Sequence, residues 1–96
     1  MKKLFISQPM RGRSAAEILK EREALIKKAE QKFDDEVEII DSFFSNYNGN
    51  ALGFLGKSIE LLSKADVALF GAGWENARGC RIEHKCCEEY SIETIE

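Results

Sequence analysis

The strongest constraint on the fold is the order in which two kinds of apolar pattern occur along the chain. Short, dense apolar runs alternate with longer stretches in which apolar residues recur at helical spacing. Lys3 to Ser7 (KLFIS), closed by Pro9, reads as a buried first strand. Ser14-Ala15-Ala16-Glu17 is a capping box, in which the Ser14 oxygen accepts from a free amide and Glu17 reaches back. The helix it opens is expected to run to about Lys32, with Ile18, Leu19, Leu25, Ile26, Ala29 and Phe33 as its buried stripe. Val37 to Ile40 reads as a second strand, and Asp41 to Gly53, rich in Asn and Ser, as a loop. A second helix is expected from about Leu52 to Lys64, with Leu55, Ile59 and Leu62 inward. Asp66 to Phe70 (DVALF) reads as a third strand buried on both faces. A turn at Gly71-Ala72-Gly73 leads to a third helix from about Ala77 to Glu89, and Ser91 to Ile95 reads as a short last strand.

A β-α-β-α-β-α-β order predicts a parallel sheet with helices on both faces, a three-layer α/β fold. With right-handed crossovers few topologies remain. The expected one is a flavodoxin-like or Rossmann-like sheet with strand order 2-1-3-4, formed by residues 1–96 as one domain. Such sheets bind ligands at the carboxyl ends of the strands, where the order reverses. Here that point lies between strands 1 and 3, so the turns at Gln8–Arg13 and Gly71–Gly79 are expected to converge.

Composition narrows the function classes. The formal net charge of −3 comes from interspersed acids and bases, which argues against binding nucleic acid polymers through a basic face. The longest apolar run, Val67 to Phe70, is far too short for a membrane span. The apolar stretch after Met1-Lys2-Lys3-Leu4 ends too soon for an export segment, and a cytoplasmic protein is expected. Three clustered cysteines, Cys80, Cys86 and Cys87, do not make a secreted disulfide framework.

Gln8-Pro9-Met10-Arg11-Gly12-Arg13 precedes a helix N-terminus, whose free amides and partial positive charge attract anions. Arg11 and Arg13 either clamp a phosphate or carboxylate there or are solvated arginines around a glycine turn. Gly71-Ala72-Gly73-Trp74-Glu75-Asn76-Ala77-Arg78-Gly79-Cys80 lacks the third glycine of a dinucleotide fingerprint and follows the third strand rather than the first. Its glycines still allow close backbone approach to a ligand. Trp74, the only tryptophan, either stacks on a flat ring of the ligand or plugs the end of the sheet. Glu83 shares a helix face with Cys80 and Cys87, at i−3 and i+4, which look buried. It is either a carboxylate held inside for chemistry or a surface acid paired with Lys85 or Arg78. Cys80, His84 and Cys87 are zinc-binding types. However, positions 80 and 87 lie about 10 Å apart along a helix axis, and one ion needs its ligands within about 2–2.3 Å. Neither a metal nor another cofactor is expected.

Two blocks carry a family resemblance. Leu4-Phe5-Ile6-Ser7-Gln8-Pro9-Met10-Arg11-Gly12-Arg13 resembles the strand-plus-Arg-Gly start of the nucleoside 2-deoxyribosyltransferase superfamily. Ala65-Asp66-Val67-Ala68-Leu69-Phe70, a glycine-bearing turn and Gly79-Cys80-Arg81-Ile82-Glu83 resemble its third strand and the start of its nucleophile helix. The whole pattern looks most like a branch of small bacterial and phage-type proteins of that superfamily. The resemblance implies a Rossmann-like, usually oligomeric enzyme that cleaves the N-glycosidic bond of deoxynucleosides or their monophosphates. By motif position Glu83 would be the nucleophile that attacks the anomeric carbon. Gln8, Arg11, Gly12, Arg13, Gly73, Trp74, Arg78 and Gly79 would contact the substrate. Phe5 stands where the family often has tyrosine, and Ser58 where it has an acid at the start of the second helix. Asp41, Asp66 and Glu75 are the candidates to replace that acid. The alternatives are a module that binds a nucleotide or nucleotide-sugar without turnover and an assembly protein without a ligand. A homodimer or larger homo-oligomer is expected, because so short a chain makes a shallow pocket that a neighbour can complete.

Overall fold

The computed structural model describes residues 1–40 and 49–96. Four strands form one all-parallel sheet in the order β2-β1-β3-β4, as the alternation predicts. They are β1 (Lys2–Ser7), β2 (Val37–Ile40), β3 (Val67–Phe70) and β4 (Glu93–Ile95). Three helices connect them, α1 (Ala15–Phe33), α2 (Ala51–Leu62) and α3 (Arg78–Tyr90), with a 3₁₀ turn at Trp74–Asn76 before the last.

Strand alternation sorts the core into two layers. Leu4, Ile6, Val67 and Leu69 point to one face, where Leu25, Ile26, Ala29 and Phe33 of α1 cover them. Phe5, Ala68 and Phe70 point to the other, under Leu61 and Leu62 of α2 and Cys86 and Cys87 of α3. Parallel registers align Leu4 with Val67 and Ser7 with Phe70 across β1 and β3. Because side chains alternate, Ser7 lies on the same face as Phe5, beneath α2 and α3.

The caps explain where two helices begin. Ser14 Oγ accepts from the Glu17 amide at 3.1 Å, and its hydroxyl donates to Glu17 Oε1 at 3.1 Å. Asn50 Oδ1 accepts from the Gly53 amide at 2.8 Å and opens α2. The α1 stripe departs from expectation at one place. Leu19 is exposed, and the buried position one turn along is Arg22. The guanidinium is tolerated because its Nη1 donates to Gln8 Oε1 at 3.0 Å.

Candidate active site

The two turns expected to converge do so. The Gly71 amide donates to the Ser7 carbonyl at 2.9 Å, tying the end of β3 to the end of β1. A Cβ at Gly71 would stand 3.2 Å from Glu21 Oε1 and 3.5 Å from Gln8 Cγ, so glycine permits this approach. Beside the junction, between β1, α2 and the start of α3, lies a cavity of about 570 Å³.

Glu83 lines this cavity, yet it is only 6% exposed. Its helix face explains this: Cys80 and Cys87, one turn to either side, are buried with it. The surface-acid reading therefore fails, and Lys85 pairs instead with Glu89 at 3.3 Å. Ser7 Oγ donates to Glu83 Oε1 at 2.6 Å, and the Ser58 hydroxyl supplies a second hydrogen bond to the carboxylate. Burial raises the Glu83 pKa above its ordinary value, and the two serine hydrogen bonds oppose the shift without cancelling it. The nearby helix N-terminus therefore does not govern its ionisation. Glu83 is the sixth residue of α3, and the helix-end field fades within the first turn.

The first turn of α3 faces the same space. Its capping residue, Ala77, has no side chain that can accept from the free amides, and Ala77, Arg78, Gly79 and Cys80 all line the cavity. Arg11 and Arg81 line it too, so among the described residues the lining counts three arginines and one acid, Glu83. Apolar wall comes from Ile6, Pro9, Met10, Phe54 and Leu55. Gly73, at φ +83°, makes the left-handed bend that lets the chain turn from β3 along the cavity edge.

Other expected site residues lie elsewhere or do other work. Gln8 borders the cavity, but its amide is committed: Nε2 donates to the Ile18 carbonyl at 3.1 Å and to Glu21 Oε1 at 2.9 Å. Arg13 is not among the lining residues. Its Nη1 donates to the Pro9 carbonyl at 2.9 Å and pairs with Glu21 Oε1 at 3.0 Å. Burial alone would raise the pKa of Glu21, but hydrogen bonds from Gln8 and Arg13, with the Arg13 charge, outweigh it and hold the pKa low. Gly12, at φ +76°, shapes the turn and does not line the cavity.

Trp74 also lies outside the lining. It stacks on His84, with ring centroids 4.1 Å apart and planes at 14°, and packs against Phe70 at 5.4 Å. This is the plug reading of the tryptophan, with its ring given to the protein's own aromatics. His84 Nδ1 meets Glu88 Oε1 at 3.0 Å, and its Nε2 meets Glu96. Cys80 and Cys87 are buried free thiols. Burial pushes Cys87 up to about 11, with the charges of Cys86, Glu83 and Glu88 adding to the effect. Among the described residues, no three His, Cys, Asp or Glu side chains cluster closely enough to hold a metal ion, and no helix is long and apolar enough to cross a membrane.

Of the acids considered as partners of Glu83, Asp66 sits at the far end of the sheet. There it accepts from the Lys3 amide at 2.8 Å. Glu75 is exposed and outside the lining, and Asp41 falls outside the described residues. Ser58 lies in the second half of α2, not at its start, buried beside Glu83. Sequence reasoning missed Ser7 as a site residue. The available signal was a polar residue on the Phe5 face at the carboxyl end of β1. Arg81 and Asn76 complete the polar lining. Comparison with protein-family models, curated proteins and solved structures found no match to this chain.

Proposed function

We propose that the protein is an N-glycosidase or 2-deoxyribosyltransferase that acts on a nucleoside or nucleoside monophosphate through Glu83. The observation that carries this reading is a buried carboxylate on the wall of a cavity otherwise lined, among the described residues, by cationic, hydroxyl, thiol, amide and apolar groups. Cleavage of an N-glycoside passes through an oxocarbenium-like state, which a carboxylate stabilises and then captures as a glycosyl ester. Ser7 and Ser58 orient the carboxylate. Arg11, Arg78 and Arg81, with the open amides of α3, suit a substrate phosphate. The cavity volume lies within the usual range of roughly 300–1,000 Å³ for small-molecule sites.

The test is release of free base from a panel of deoxynucleosides and their monophosphates, followed by chromatography. Wild-type protein should release base, and Glu83→Ala should release less by a factor of roughly 10³ or more, since the covalent route is lost. Equal turnover by the two proteins would end this reading.

A second reading, a nucleotide-binding module without turnover, is favoured by one feature. Ser58, a hydroxyl and not an acid, stands beside Glu83. Calorimetric binding with no base released over hours would select it. The proposed enzyme is cytoplasmic and a homodimer. Leu52 and Ile82 are exposed next to the lining residues Ala51 and Arg81, which supports a second copy covering that flank.

A further inference from the structure

We propose that Glu21, which lies on α1 outside the cavity lining, is a positioning residue that makes the site select substrates bearing a phosphate. It does so by holding the β1–α1 turn, and with it Arg11, in a binding-ready shape. This rests on the reading of the cavity given above, in which Arg11 and the open amides of α3 face a substrate phosphate.

Pro9, Met10 and Arg11 form one wall of the cavity. Residues 8–13 lie in neither helix nor strand, so side chains have to fix their backbone. At one end of the turn, Gln8 Nε2 donates to the Ile18 carbonyl at 3.1 Å and to Glu21 Oε1 at 2.9 Å. Gln8 Oε1 accepts from Arg22 Nη1 at 3.0 Å. At the other end, Arg13 Nη1 donates to Glu21 Oε1 at 3.0 Å and to the Pro9 carbonyl at 2.9 Å. The Arg13 amide donates to the Met10 carbonyl at 3.2 Å. One carboxylate oxygen of Glu21 therefore ties both ends of the turn to α1, and Arg11 lies between those ends. The same oxygen is wedged against the turn after β3, since a Cβ at Gly71 would stand 3.2 Å from it. Burial works against the Glu21 charge, yet the bonds from Gln8 and Arg13 keep its pKa low.

The two arginines of the turn thus have different roles. Arg13 is taken up by the brace, and Arg11 is the charged group that the braced turn presents to the cavity. An arginine on a loose turn loses backbone freedom when it grips an anion, whereas on a braced turn that loss is already part of folding. Fixing one backbone residue in advance corresponds to roughly tenfold in affinity. The gain falls on the phosphate, because that is the part of the substrate Arg11 meets.

The experiment measures kcat/KM, and Kd by calorimetry, for each deoxynucleoside of the panel above and for its 5′-monophosphate. The proteins are wild type, Glu21→Gln, Arg13→Ala and the double variant. Glu21→Gln keeps the size of the side chain and removes the charge that grips Arg13. Wild type should prefer the monophosphate. Each single variant should lower that preference by about tenfold, with kcat/KM for the nucleoside little changed. The double variant should lose no more than either single one, because both cut the same brace. A purely structural role would lower Tm and scale both substrates together, leaving the ratio unmoved. Should Glu21→Gln fail to fold, Arg13→Ala carries the comparison, since it removes a pair whose side chains are 25% exposed. An unmoved ratio, additive losses, or a wild type without monophosphate preference overturns the inference and leaves the glycosidase reading standing. A Kd ratio that falls as expected with no base released upholds the inference and overturns the glycosidase reading in favour of the binding module. Neither binding nor base release with any ligand overturns both.

Discussion

In the proposed reaction, burial of Glu83 and its contact with Ser7 Oγ together govern when the carboxylate is ionised. Desolvation favours the neutral carboxyl, whereas a nucleophile has to be ionised. The serine hydrogen bonds pull the equilibrium back toward the charged form. Ser7→Ala removes one of them, so the Glu83 pKa rises further. The acidic limb of a plot of kcat/KM against pH should therefore move to higher pH, with the plateau at alkaline pH less affected. An unmoved limb would mean that Ser7 does not govern the ionisation. Glu83 itself was legible in the sequence, because its neighbours at i−3 and i+4 are small thiols that pack inward. Ser7 was not, since its partner lies 76 positions away and nothing local marks the pairing. Arg22 was hidden for the same reason: the group that satisfies its guanidinium, the Gln8 amide, belongs to another element. Apolar periodicity instead assigned Leu19 to the buried stripe, since it weighs side-chain type and not the reach of a distant acceptor.

Among the described helices, α3 begins differently from α1 and α2, and the difference separates structure from site. α1 and α2 are closed by the side chains of Ser14 and Asn50, whereas α3 opens after Ala77 with no such cap and with its first turn on the cavity. Replacing Ser14 or Asn50 with alanine should destabilise the fold by about 1 kcal/mol. That lowers Tm by roughly 4–8 °C in a domain of this size. Base release by the remaining folded protein should be unchanged, a comparison that thermal melts and activity assays make directly. The capping box and the alternating runs placed these elements to within a few residues. Neither signal reports what a helix start faces, so Arg13 and Trp74 were expected to face the ligand. The nearer partners Glu21 and His84 take them instead.

At the scale of the whole molecule, two acids among the described residues, Glu83 and Glu21, pull stability in opposite directions with pH. Glu83 has a folded pKa above its ordinary 4.5, so its contribution is fully present below the unfolded value and is lost as pH rises through the folded one. Glu21 has a folded pKa below 4.5, so its contribution is present above the unfolded value and is lost as pH falls through the folded one. Wild-type Tm should therefore decline on both sides. Glu83→Gln, which cannot ionise, should melt higher than wild type at pH 7–8, and the gap should close toward pH 4. Calorimetric melts across that range check the sign, and a variant that melts lower at every pH would contradict it.

The sheet order adds a consequence for how this chain is made. The Ser7 hydroxyl is synthesised well before the acid it meets, 76 positions further along the chain. Both the central strand pair and the last long helix must be in place before the two can meet. A chain synthesised only as far as β3 therefore lacks this buried pair, and the cavity wall is complete only once α3 has docked.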